Sequence, residues 1–323
     1  MKKRITSNWR PLLGSFCPFL IGVATLLAEP RNAPAQQDAA FIGRFFISDG
    51  DRGLRGAVRE YDYSTGQLIK ADFIRDLFEP EGLAVSGNDL FVISTDLFAH
   101  NFDYSGIVGK YDARTGRGVN VKFITGLRKP DSVAVSGNRL FVNTSLSKDD
   151  KTQVVSEYDA ATGKLINANL ITGLRLPDGM VVQGNTLYVS DIKTGKVGTY
   201  VADTGGAINP NFITGLEAPR GLAVVGNRLY VLCRFRGDGA IEKYDATTGR
   251  LISLVTGLHE FTVALAAVHI GASRTEDLLF PVGPFIHRVT IYDSVDGQVV
   301  WRNFITGLHD GALGIAYWAG RRD

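Results

Sequence analysis

The stretch FITGLRKPDSVAVSGNRLFV at residues 123–142 returns, little altered, as FITGLEAPRGLAVVGNRLYV at residues 212–231. A sequence that repeats every few tens of residues builds one small unit per period, and each unit needs its neighbours to bury its apolar face. Aligned on FITGL, further copies start at Phe73 (FIRDL), Leu170 (LITGL), Leu254 (LVTGL) and Phe304, so six starts lie 50, 47, 42, 42 and 50 residues apart. The order within a period is constant. FITGL is followed by a loop that usually contains Pro, an apolar run such as GLAV, a Gly-Asn turn and a second run such as RLYV. A variable loop then leads to a third run ending in Tyr-Asp, and a Thr-Gly turn closes the period.

The turns carry hairpin chemistry. Gly87-Asn88, Gly137-Asn138, Gly184-Asn185 and Gly226-Asn227 sit between alternating apolar runs, where Gly supplies the positive φ of a tight hairpin. The YDxxTG element recurs at Tyr61, Tyr111, Tyr158 and Tyr244, and in weaker form at Tyr200 and Tyr292. Its Asp can accept from backbone amides two residues on, and its Gly can take the left-handed conformation that ends the turn. Frequent Gly and alternating Val, Ile, Tyr and Phe exclude helical repeats. Four antiparallel strands per 42 to 50 residues predict an all-β fold, a six-bladed β-propeller of four-stranded blades.

After Phe304 the chain supplies one FITGL strand and one GLAV-like strand, and then stops at Asp323. Residues 41–72 hold the missing runs. Joining N- and C-terminal strands in one blade closes the ring and removes its open edges.

Residues 1–35 read as a signal peptide. Lys2, Lys3, Arg4 and Arg10 precede the apolar run 12–28, and Ala33-Pro34-Ala35 offers a cleavage site. The expectation is an exported chain, periplasmic or secreted, whose residues 36–323 form a single domain and a monomer with no membrane span. Of 35 basic and 33 acidic residues the signal removes five and one, leaving 30 and 32, or a net charge of −2. That balance gives no reason to expect nucleic acid as a partner. Cys17 leaves with the signal, so Cys233 stands alone, without a disulfide or a Cys/His zinc site.

The P-x-GLAV-x-GN-x-LYV phrase resembles the NHL-type repeat and, more broadly, the six-bladed group that includes the regucalcin/gluconolactonase family and virginiamycin B lyase. The resemblance spans nearly all of residues 41–323 and rests on blade-building motifs. In such propellers the strand that begins at GLAV is innermost, and the residue before it faces the mouth of the central channel. Counting four residues past the Leu of FITGL gives Glu81, Asp131, Asp178, Arg220 and Thr262; the sixth copy has one extra residue, which brings Leu313 there. Three blades thus present carboxylates and a fourth presents Arg.

Two readings of that row stay open. Glu81, Asp131 and Asp178 are hard oxygen donors suited to calcium or another divalent cation, with Asn143, Asp191 and Asp49 as further donors near the ends of the following strands. The regucalcin/gluconolactonase resemblance implies a divalent site built from Glu, Asn and Asp, and LPDGMVV (176–182) resembles its Pro-Asp-Gly element. By that match Glu81 and Asp178 carry over as ligands, whereas Asp131 stands where an Asn-Gly is wanted. Alternatively the acids solvate a loop rim and pair with Arg220, Lys129 or Arg128.

His259 and His309 share one repeat position and are expected near the mouth. With Glu260 and Glu81 they keep a virginiamycin B lyase-like constellation open by analogy. The loops between second and third strands vary most, and in blade 1 that loop carries Phe98, His100, Phe102 and Tyr104, as a recognition surface does. The expected function is a binding platform for a protein, peptide or glycan. The alternatives are a metal-dependent lactonase-type hydrolase and a structural channel calcium. Convergence of the carboxylates favours the metal readings; a salt-bridged rim with Arg220 favours the platform.

Overall fold

The computed structural model describes residues 41–50, 55–96, 105–146, 153–269 and 277–321, all within the compact unit Arg31–Asp323. The expected signal segment lies outside the described residues, as do Phe98, His100, Phe102 and Tyr104 and most of the HIGASRTEDLL segment of blade 5. The described residues form six four-stranded antiparallel sheets and no helix, so none is long and apolar enough to cross a membrane.

The innermost strands of blades 1 to 6 are Pro80–Ser86, Val133–Ser136, Pro177–Gln183, Leu222–Val225, Ala264–His269 and Gly314–Arg321. Each contacts the next around the ring, and Gly314–Arg321 contacts Pro80–Ser86 to close it. Blade 6 is the split one. Its innermost strand comes from the C-terminal end of the chain and pairs antiparallel with Phe41–Gly50, Ser48 opposite Gly314 and Phe45 opposite Tyr317. Arg55–Asp62 and Leu68–Phe78 complete the blade.

The core lies between blades because both faces of every sheet are covered. Successive side chains of a strand point to opposite faces. Leu90 and Val92 of blade 1 therefore pack with Phe46, Val58 and Phe73 of blade 6, while Phe91 and Ile93 pack with Val133, Leu140 and Val142 of blade 2. Hence second strands read as unbroken apolar runs rather than as an alternation of apolar and polar residues.

The repeated turns act together at the ring end away from the mouth. Oδ1 of Asp62 accepts from the amides of Ser64 and Thr65 at 2.9 Å each, and Asp112, Asp159 and Asp245 do the same in their blades. The turn Asn joins them: Asn227 Nδ2 donates to Asp245 Oδ2 at 2.7 Å, and Asn138 bonds Asp159. These bonds hold all four Asp carboxyls below the usual carboxylate range.

A second repeated device sits at the mouth end. Asp49, Ser94, Thr144 and Asp191 occupy one repeat position near the end of the second strand, and each binds the backbone just after a FITGL element. Ser94 Oγ donates to Phe78 O at 2.6 Å, Thr144 Oγ1 to Arg128 O at 2.9 Å. Asp191 accepts from Arg175 N at 2.9 Å and Asp49 from His309 N at 2.9 Å.

Candidate site at the channel mouth

The innermost strands enclose a cavity of about 280 Å³, and Glu81, Asp131, Asp178, Arg220, Val263 and Leu313 come to it from blades 1 to 6 in turn. Five of the six positions obtained by counting from FITGL therefore lie together. The fifth blade differs. Its copy, HEFTVA, carries the same extra residue as the sixth, so Val263 takes the mouth position, while Thr262 is buried and its hydroxyl donates to the His259 carbonyl.

The residue after each mouth residue is small for a steric reason. A Cβ on Gly179 would lie 2.2 Å from the Arg220 carbonyl oxygen, and one on Gly314 2.2 Å from that of Glu81. The carbonyls of Asp131, Arg220, Val263 and Glu81 thus sit over Gly82, Gly179, Gly221 and Gly314 of the neighbouring blade. This accounts for the Gly of the Pro-Asp-Gly element. Gly179→Ala is expected to cost about 1–3 kcal/mol, because the obstacle is backbone and cannot rotate away. Thermal unfolding checks it; an unchanged midpoint would show that the blades can move apart freely.

The acids settle into two pairs. Glu81 is hydrogen-bonded to Asp131, and burial first, then the Asp131 charge and that bond, push its carboxyl well above the ordinary range. A hydrogen bond between two carboxyls needs a proton, which the pair holds in common. Asp178 pairs with Arg220, Nη1 to Oδ2 at 3.3 Å. Desolvation in the channel pushes Asp178 up to about 6 although the guanidinium opposes it. By area both acids are only half-buried, since their tips open to the cavity; protein nevertheless surrounds them, and it is this confinement that disfavours charge.

The supporting donors are occupied with backbone. Asn143 is buried, its Oδ1 accepts from Asp131 N at 3.0 Å and Ser132 N at 2.7 Å, and its Nδ2 donates to Pro177 O of blade 3 at 2.9 Å. Ser190 has the same role in the next blade, accepting from Gly179 N and donating to Arg220 O, each at 2.8 Å. Asp191 also accepts from Leu176, Lys193 and Thr194 amides, and Asp49 pairs with Arg59.

Glu81 and Asp131 share a proton, Asp178 faces Arg220, and the oxygens of Asn143, Asp191 and Asp49 hold amides. Among the described residues no group of three or more His, Cys, Asp or Glu side chains is placed to hold a metal ion.

The histidines lie elsewhere. His309 contacts Asp49 and Arg59, with Arg59 Nη2 2.9 Å from its Nδ1. His259 and Glu260 line a separate cleft between blades 4 and 5, so the lyase-like set of His259, Glu260, His309 and Glu81 is not assembled. Cys233 is buried and its thiol donates to Glu242 at 3.5 Å; burial pushes it up, which makes it a packed and unreactive group.

No family model matches the chain, and no curated protein matches it. Among solved structures it resembles a chain of a nidogen/laminin complex, with a TM-score of 0.63 and 16% identity over 85% of this chain and 98% of that one. It also resembles TolB from Acinetobacter baumannii, with a TM-score of 0.58 and 13% identity over 80% of this chain and 62% of that one. At such identities likeness carries the ring and not its chemistry. What these neighbours share with this chain is the six-bladed β-propeller.

Proposed function

We propose that this chain is an exported, NHL-like propeller whose mouth face binds a protein, peptide or glycan. One observation carries the reading. The exposed phenylalanines among the described residues, Phe78, Phe235, Phe261 and Phe285, all lie on the mouth side. Innermost strands begin at the mouth, so second and fourth strands end there. Phe78 ends a fourth strand, Phe235 ends a second strand, Phe261 follows a fourth strand and Phe285 follows a second. Arg55 lies over Phe78 and Arg236 over Phe235, at 5.7 and 5.3 Å, the mix of aromatic and Arg that recognition surfaces favour. The occupied channel acids support the same reading over a lactonase-type hydrolase.

Glycan and peptide arrays probed with the full chain test it, alongside a variant with all four phenylalanines changed to Ser. The variant is expected to lose its ligands by roughly tenfold or more, the effect of removing one or two central aromatic contacts. Ligands that the variant keeps at full affinity would sink the reading. A divalent-cation-dependent lactonase activity lost in Asp178→Asn would replace it with the hydrolase.

A further inference from the structure

The two arginines that depart most from the repeat face one cleft. Counted from the Tyr of each YDxxTG element, the position of Arg288 holds Ala57, Ile107, Val154, Lys196 and Ala240 in the other blades. Two residues before FITGL, the position of Arg302 holds Ala71, Val121, Ala168, Pro210 and Ile252. The Arg302 position is open to solvent in most blades, with Val121 and Ile252 about half-exposed, and only blade 5 places a guanidinium at both positions. Both open into a cavity of about 480 Å³ between blades 4 and 5, with Thr290 and Tyr292 on the same wall. That volume suits a small-molecule or sugar site. Among the described residues neither arginine has an ion-pair partner.

Two aromatic rings stand beside the cleft, next to its lining residues His259, Glu260 and Ile286. Phe261 stands 5.5 Å from the His259 ring and 5.5 Å from Phe285, the latter pair edge to face at 73°. Phe285 holds φ at +64°, a costly conformation for a bulky residue, and is exposed there. His259 Nδ1 accepts from Phe261 N at 3.3 Å, which leaves Nε2 as the hydrogen-bearing nitrogen. Asp238 and Glu260 complete the lining as acceptors.

We propose that this cleft binds a carboxylate-bearing sugar unit, its carboxylate on Arg288 and Arg302 and its ring face on Phe261 and Phe285. The assignment rests on reading the mouth face as a recognition surface, and it names the site and the ligand class. Guanidinium forks match a carboxylate bidentately. Asp238 and Glu260 repel a run of acidic residues, yet accept hydrogen bonds from neutral hydroxyls. One anionic group surrounded by hydroxyls is the chemistry of a uronic acid, and an acidic peptide fits less well. The Tyr292 phenol, pushed up by burial against the pull of both arginines, stays a hydrogen donor to such a ligand.

Calorimetric titration of the full chain with uronic-acid oligosaccharides, their neutral counterparts and an oligoglutamate peptide decides the matter. The variant Arg288→Ile/Arg302→Val installs the residues of blade 1 and so keeps the packing; its thermal midpoint verifies that it folds. Uronate binding is expected, weakened by salt, reduced roughly tenfold or more for each guanidinium removed, and reduced also by Phe261→Ala. The proposal is overturned if uronates do not bind, if neutral sugars bind as well, if the double variant keeps full affinity, or if oligoglutamate binds more tightly. Any of these leaves the wider recognition-face reading standing, since that is tested separately by the four-phenylalanine variant and the lactonase assay.

Discussion

Raising the pH from 5 to 8 is expected to lower the thermal midpoint of this protein. Asp178 moves from an unfolded value near 3.8 to about 6 in the folded channel, and Glu81 is shifted in the same direction by burial and by Asp131. Between those values the folded chain holds more protons than the unfolded one, so stability falls as pH rises and levels off above the folded values. Over the whole range from below its unfolded value to above its folded one Asp178 gives up about 3 kcal/mol, of which about 1.4 kcal/mol falls between pH 5 and 8, and at 2 to 4 °C per kcal/mol the ceiling in that window is roughly 3 to 6 °C. A quarter of the Asp178 side chain is open to the cavity, which screens the charge and brings the effect to a few degrees. The opposite trend begins only below the usual carboxylate range. Asp62, Asp112, Asp159 and Asp245 have lowered values, so their contribution is lost as pH falls through them, and the windows do not overlap. Glu81→Gln keeps a donor to Asp131 and removes a titrating group. Its midpoint should exceed wild type at pH 8 and converge with it toward pH 4. A flat wild-type curve from pH 5 to 8, or an unchanged slope in Glu81→Gln/Asp178→Asn, would falsify the account of the channel acids.

The fold was legible because blades are made of local devices. A Gly-Asn turn and a YDxxTG turn each announce a hairpin, and the order of runs at the two chain ends announced that blade 6 is shared. The mouth row was legible for the same reason, since counting from FITGL follows the backbone, and it slipped only at Thr262, where one extra residue hands the position to Val263. Pairing was not legible. Whether Asp178 meets Arg220 or a cation depends on side-chain directions within a cavity a few ångströms across. Asn143, Asp191 and Asp49 offered oxygens, and sequence does not say what an oxygen already holds. A signal existed nonetheless: Asp49, Ser94, Thr144 and Asp191 share a column, and a polar residue recurring in four blades points to a structural task. Read as columns, the third and fourth strands would also have exposed Arg288 and Arg302, which stand out only against the five other blades.

Asn143→Ala is expected to be among the most damaging single changes at the mouth. The side chain is 1% exposed and makes three hydrogen bonds, two to amides of its own blade and one to the Pro177 carbonyl of the next. Its removal leaves the amides of Asp131 and Ser132 and the carbonyl of Pro177 without it, and each buried group left unsatisfied costs about 1–3 kcal/mol. The total is at least about 3 kcal/mol, a fall in midpoint of roughly 6 °C or more. Asn143→Ser should recover some of this loss, because Ser190 performs the same linkage with one hydroxyl in blade 3. Freed from Asn143, Asp131 no longer faces Glu81 squarely, so the slope of stability between pH 5 and 8 should shrink as well. The deficit is expected to be the same with EDTA and with millimolar calcium, because the role of Asn143 is to hold backbone. A deficit that appeared only with calcium would return Asn143 to the ring of cation ligands, and with it the channel acids.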